Sequence, residues 1–175
     1  MDYDLQIEFF RAKSDQIGQV LAVLDEAAAW LQERGVKQWP ARFERSWIED
    51  AIRRGDTWLL NLGDKASGTV TLERSDPVWD DAPPAAALYV HRMAVRRSAA
   101  GLGAIILDLA ADAARQRDLE ALRLDCVASN DRLRAYYEAA GFVHRGDATV
   151  RGAPGQRRDE GPVTVVSLYE QRLPR

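Results

Sequence analysis

Apolar residues recur at three- and four-residue steps through Ile17, Val20, Leu21, Leu24, Ala27, Ala28 and Leu31. That period predicts an amphipathic helix, capped by Asp15 and ended by Gly35. Before it, Leu5-Gln6-Ile7-Glu8-Phe9-Phe10 begins in alternation and predicts a strand. Pro40 opens a second predicted helix over 41–54, with Phe43, Trp47, Ile48 and Ala51 as its stripe and Gly55 as its stop. Thr57 to Leu62 predicts a strand, Gly63 to Lys65 a turn, and Ser67 to Arg74 the second arm of a hairpin. Asp76 to Pro84 holds three prolines and three aspartates and predicts a loop, too short to separate two domains.

The second half continues with a strand over Ala86 to Val95 and a connector over 96–100. Gly101-Leu102-Gly103 then opens a helix whose one face carries Leu102, Ile105, Ile106, Leu109, Ala110 and Ala113. Ala121 to Val127 predicts a short buried strand. Ser129 or Asn130 caps a further helix that stops at Gly141, and Phe142 to Ala148 predicts another strand. Thr149 to Pro162 predicts a long polar loop, and Val163 to Arg172 the last strand. The order is β-α-α-β-β-β-α-β-α-β-β, an α/β (α+β) single domain with a mixed sheet.

Composition narrows the function classes. The 175 residues carry 24 Lys plus Arg against 27 Asp plus Glu, a net charge of −3. That balance offers no basic face for nucleic acid. One cysteine, Cys126, excludes an internal disulfide framework, and two histidines leave little for a His-rich metal centre. No apolar run reaches the ~20 residues of a membrane helix. With no apolar leader after the acidic Met1-Asp2-Tyr3-Asp4, the expected location is cytoplasmic. All five tryptophans (Trp30, Trp39, Trp47, Trp58, Trp79) lie in the first 79 residues.

A strand, a short basic connector and a glycine turn at a helix start make an anion site, because the first helical amides have no intrahelical partner. Gly101 and Gly103 allow close backbone approach, and Arg96 and Arg97 add charge. The full Gly-x-Gly-x-x-Gly fingerprint is absent, since position 106 is Ile, and no Walker loop follows. A glycine-rich turn serving only tight packing is the plain alternative.

Three segments carry a resemblance: His91-Arg92-Met93-Ala94-Val95, Gly101-Leu102-Gly103-Ala104, and Asn130 to Phe142 with Asn130, Tyr137 and Gly141-Phe142 in fixed spacing. Together they resemble the GCN5-related N-acetyltransferase (GNAT) superfamily. The resemblance implies a mixed central sheet of about seven strands flanked by about four helices. It implies transfer of an acetyl or other acyl group from acetyl-CoA directly to a primary amine of a small molecule or peptide. It implies an acyl-CoA half over 85–175 and an acceptor half over 1–84. A homodimer, no nucleic acid, no membrane and no metal complete the expectation.

Residue by residue, the resemblance implies cofactor contacts from Met93, Ala94, Val95, Arg96, Arg97, Gly101, Leu102, Gly103, Ala104, Asn130 and Tyr137. In the family, the strand ending at Met93-Ala94-Val95 splays from the one around Asp125-Cys126-Val127, and pantetheine lies between. Tyr137 is the expected general acid, since a phenol of pKa ~10 is protonated at neutral pH; packing on the sheet is its alternative role. His91 is the expected base, with Glu73 and Asp125 as other options. Trp39, Trp79 and Tyr89 are the expected acceptor-site residues, and Tyr136 is expected to be core or surface. The chain departs from the family in its phosphate loop. Ser98 stands where a Gln or Arg is usual, the connector after Val95 is about two residues short, and one glycine is missing. A GNAT-like domain that binds acyl-CoA without turnover is the alternative function.

Overall fold

Leu59 and Leu60 are both fully buried, although adjacent strand residues point to opposite faces. The sheet that holds them is therefore covered on both sides. The computed structural model describes residues 6–153, 156–157 and 160–174. The strands are β1 (Ile7–Arg11), β2 (Thr57–Leu62), β3 (Lys65–Glu73), β4 (Ala87–Val95), β5 (Ala121–Val127), β6 (Val143–Ala153), β7 (Gln156–Arg157) and β8 (Val163–Arg172). The helices are α1 (Ile17–Glu33), α2 (Arg45–Arg54), α3 (Leu102–Arg115) and α4 (Asp131–Ala139). The sheet order is β1-β2-β3-β4-β5-β8-β6-β7. Among the described residues only β4 and β5 run parallel.

Leu60, Val70, Leu72, Leu88, Val90, Leu122 and Leu124 pack with Ile106, Ala110 and Ala114 of α3 and Tyr137 of α4. On the opposite face Leu59, Ala66 and Ala94 pack with Ile17, Val20, Leu24 and Ala28 of α1 and Ile48 and Ile52 of α2. The result is three layers with the sheet in the middle. Among the described residues no helix is long and apolar enough to cross a membrane.

Three details differ from the sequence expectation. Asp15 does not cap α1: it lies in a 3-10 turn over Ser14–Gln16, and Gln16 precedes the helix without a side-chain capping bond. The second helix starts at Arg45, not at 41. Phe43 is buried, but its N–H donates to Asp25 Oδ1 at 2.9 Å, so this stretch is tied to α1 in place of forming a helical turn. The expected loop over 149–162 is partly strand. Thr149, Val150 and Arg151 pair with Val165, Thr164 and Val163, extending β6, and β7 follows. The composition there is polar because this end of the ladder is exposed, not because pairing stops. Residues 1–5, 154–155, 158–159 and 175 lie outside the described residues.

A buried network fixes the loop after β3. Arg123 on β5 is 3% exposed. Its Nε donates to Glu170 Oε2 at 2.8 Å and its Nη2 to the Pro83 carbonyl at 2.6 Å. Its guanidinium lies 4.5 Å from the Trp79 ring. One guanidinium thus joins β5, β8 and the 76–84 loop.

Candidate active site

The parallel pairing of β4 and β5 covers only Ala87 with Ala121, Leu88 with Leu122 and Tyr89 with Arg123. Beyond Tyr89 the two strands diverge. β5 remains paired to β8 through Val127, and β4 to β3 through Val95, so the splay opens between two held edges. Unpaired backbone edges are costly when buried. Here they border a cleft of about 1320 Å³ lined by Val90 to Arg97, Asp125 and Val127.

A bulge shapes the β4 side. Thr71 pairs with His91 and Thr69 with Ala94, so β4 carries one extra residue there. Arg92 takes the strain, with φ +47. The bulge also changes the faces: Ala94 packs toward α1, and Met93 and Val95 pack toward α3. Strict alternation would have kept Met93 on the face of His91; the bulge takes it off that face.

Gly101 and Gly103 stand at the start of α3 on the cleft wall. Gly101 caps the helix with φ +101, a backbone that L side chains rarely adopt. A Cβ at Gly103 would stand 2.5 Å from the hydroxyl of the exposed Tyr136, so a larger residue there would push that side chain aside. Leu102 is buried in the core, and neither it nor Ala104 lines the cleft. Of these two only the backbone amides are available at the helix end.

Arg96 and Arg97 part ways. The Arg96 guanidinium donates to Glu26 Oε2 and to the Ala66 carbonyl at 2.7 Å. The Arg97 N–H donates to Glu26 Oε1 at 3.1 Å. Burial of Glu26 opposes ionisation, but the bonds from Arg96 and Arg97 outweigh it and hold the carboxyl below its ordinary range. Arg96 therefore braces α1 against the β3–β4 end of the sheet. The Arg97 side chain instead lies 4.4 Å over the Trp30 ring.

Tyr137 comes from α4 and is 6% exposed on the cleft wall. Its ring packs between Tyr136 at 5.6 Å, Phe142 at 5.8 Å and Tyr169 at 6.3 Å. Burial, with a smaller contribution from Cys126, pushes its phenol far above the ordinary range, so it is fully protonated at neutral pH. Asn130 caps α4, its Oδ1 accepting from Leu133 N–H at 3.2 Å. Gln38, from the α1–α2 connection, spans the cleft. Its Oε1 accepts from Val127 N–H at 3.1 Å and from Asn130 Nδ2 at 3.3 Å.

At the other end of the cleft, titratable groups converge. His91 Nε2 lies 3.3 Å from Glu73 Oε2 and 3.6 Å from Asp76 Oδ2. Asp76, His91 and Asp125 bring one ligand atom each within 4.8 Å of one another, a geometry that suits a cation. All four residues line the cleft. Cys126 is fully buried and its thiol is pushed up to about 12 by that burial, so it is no nucleophile at neutral pH.

The expected acceptor residues divide. Trp39 lines the cleft and meets Phe43 edge-on at 5.3 Å. Trp79 and Tyr89 do not line it. They are 3% and 8% exposed, packed against each other at 6.3 Å beside the Arg123 network. The loop folds inward because Arg123 needs acceptors and a ring face, and those partners are far away in sequence. Trp30, Gln38, Asp76 and Tyr136 line the cleft although the sequence did not single them out for it. Each depends on a contact between distant elements, and no local pattern marks such contacts.

The sequence pattern of the Acetyltransferase (GNAT) family matches residues 24–142. An uncharacterized N-acetyltransferase of Bacillus subtilis (strain 168), YesJ, is 30% identical over 137 residues, covering 73% of this chain and 76% of that protein. A GNAT-family acetyltransferase crystal structure from Listeria monocytogenes 4b F2365 superposes with a TM-score of 0.76 at 23% identity, covering 99% of this chain and 98% of that one. The yncA structure from Salmonella typhimurium, solved with its cofactor acetyl-CoA, superposes with a TM-score of 0.66 at 11% identity, covering 97% and 95%. The splayed sheet, the glycine turn and these likenesses agree: the chain belongs to the acetyltransferase (GNAT) family.

Proposed function

We propose that this enzyme moves an acetyl group from acetyl-CoA to a primary amine by direct transfer. The observation that carries this reading is the end of β4–β5 pairing at Tyr89 and Arg123, with Tyr137 and Gly101-Leu102-Gly103 on the walls of the resulting splay. An extended amide-bearing arm fits between such edges as an added strand fits a sheet. Helix α3 and its glycine turn offer amides to a pyrophosphate. Acetyl-CoA supplies the activated thioester. Backbone N–H groups near Ala94 and Val95 stabilise the charge that develops on its carbonyl oxygen. Tyr137 donates the proton that the departing thiolate takes.

The amine must lose a proton before it attacks. His91 accepts it, and Glu73, Asp76 and Asp125 draw the ammonium form toward that end and stabilise the positive charge. Trp39 forms part of the acceptor wall. The carboxylates favour a cationic acceptor over an acidic one. In this reading residues 1–84 furnish most of the acceptor wall and 85–175 most of the donor slot.

Thiol release from acetyl-CoA across a panel of primary amines tests the proposal. The expected result is saturable, amine-dependent release, with diamines giving a lower KM than monoamines or amino-dicarboxylates. Binding of acetyl-CoA without release by any amine would support the domain that binds and does not turn over.

A further inference from the structure

Three guanidiniums gather on one indole at the exposed rim of the cleft. Arg34, Arg97 and Arg132 lie 4.2, 4.4 and 5.6 Å from the Trp30 ring. They come from three places: the end of α1, the β4–α3 connection and the first turn of α4. Trp30 and all three arginines line the same cleft as Gly101 and Gly103. Among the described residues, the ion pairs to carboxylates come from other arginines and from the histidines, not from these three. Cation–π contact gathers them, but it does not cancel their mutual repulsion. Arg132 also sits at the positive end of α4, where a cation is disfavoured. In a chain of net charge −3, such a concentration of exposed positive charge suits a polyanion.

The phosphate loop gives the same indication. It has Ser98 where an anion-binding side chain would help, and Arg96 is committed to Glu26 and Ala66. The helix end at Gly101 to Gly103 offers backbone amides to a pyrophosphate. The donor carries one more anionic group, the 3′-phosphate of its nucleotide.

We propose that Trp30 with Arg34, Arg97 and Arg132 forms a clamp for the 3′-phosphate of the acyl donor. The proposal rests on acetyl-CoA being the donor. Trp30 holds the arginines in reach, and their planar forks grip the phosphate oxygens. The acceptor half of the chain thereby helps to select the donor.

Calorimetric titration of the full chain with acetyl-CoA and with acetyl-3′-dephospho-CoA tests this. The expected preference for the phosphorylated donor is about tenfold. Arg34→Gln and Arg132→Gln each reduce that preference about threefold, and the double variant brings it near one. Affinity for the dephospho donor stays unchanged in all of them. Both arginines are exposed, so unchanged melting temperatures confirm that the variants fold. A wild-type preference near one, or a preference that survives the double substitution, would overturn the clamp. Failure of the wild-type chain to bind either donor would overturn the donor assignment beneath it.

Discussion

Tyr137→Phe is expected to lower kcat by about 10²- to 10⁴-fold, the usual contribution of a positioned general acid. The affinity for acetyl-CoA stays within about twofold, because the ring keeps its contacts with Tyr136, Phe142 and Tyr169. Stability changes little for the same reason. Burial raises the Tyr137 phenol, so the wild-type rate shows no alkaline decline from this group near its ordinary pKa of about 10. Steady-state kinetics with a titration of acetyl-CoA separate the two effects. Full activity in the variant would reduce Tyr137 to packing.

Glu170→Ala is expected to lower the unfolding free energy by about 3–5 kcal/mol, since it strands the buried Arg123 guanidinium without its carboxylate. The corresponding loss in Tm is about 6–20 °C for a chain of this size. Arg123→Met costs less, because Arg145 and Arg172 still face Glu170, each at 3.2 Å. The double variant Arg123→Met with Glu170→Leu recovers much of the loss, as apolar replacement of buried pairs generally does. Burial opposes ionisation of Glu170, but Arg123, Arg172 and Arg145 hold its carboxyl below the ordinary range. Its contribution to stability is therefore full above the unfolded pKa and fades as pH falls through the folded one. Thermal melts at neutral and acid pH check both points. A double variant less stable than Glu170→Ala would contradict the pairing account.

The core of this fold was legible because its signals are local. The α1 and α3 stripes, the glycine turn and the Asn130–Tyr137–Gly141 spacing each fall within one element or its edge. The helix start at Arg45 was not legible, because a bond from Phe43 to Asp25 on α1 decides it. The polar end of β6 looked like a loop because both its partner and its exposure lie elsewhere in the chain. Within the site, the segments from Met93 to Arg97 and from Gly101 to Gly103, with Asn130 and Tyr137, were readable as residues. The bulge at Arg92 was not, since nothing but the register with β3 reveals an extra residue. By residue type Trp79 and Tyr89 suit an acceptor wall. Their true neighbour, Arg123, needed the fold to be seen.

The β4–β5 splay as donor slot underlies every functional role proposed for these residues. Calorimetric titration of acetyl-CoA into the wild-type chain and into Gly103→Val tests it most directly. The prediction is a single site with Kd on the order of 1–100 μM in the wild type, within the range of enzyme substrates. Gly103→Val weakens it at least about tenfold, because a branched side chain at the start of α3 would project into the cleft where the donor approaches the helix amides. Equal binding by both proteins, or no binding by the wild type at millimolar acetyl-CoA, would contradict it.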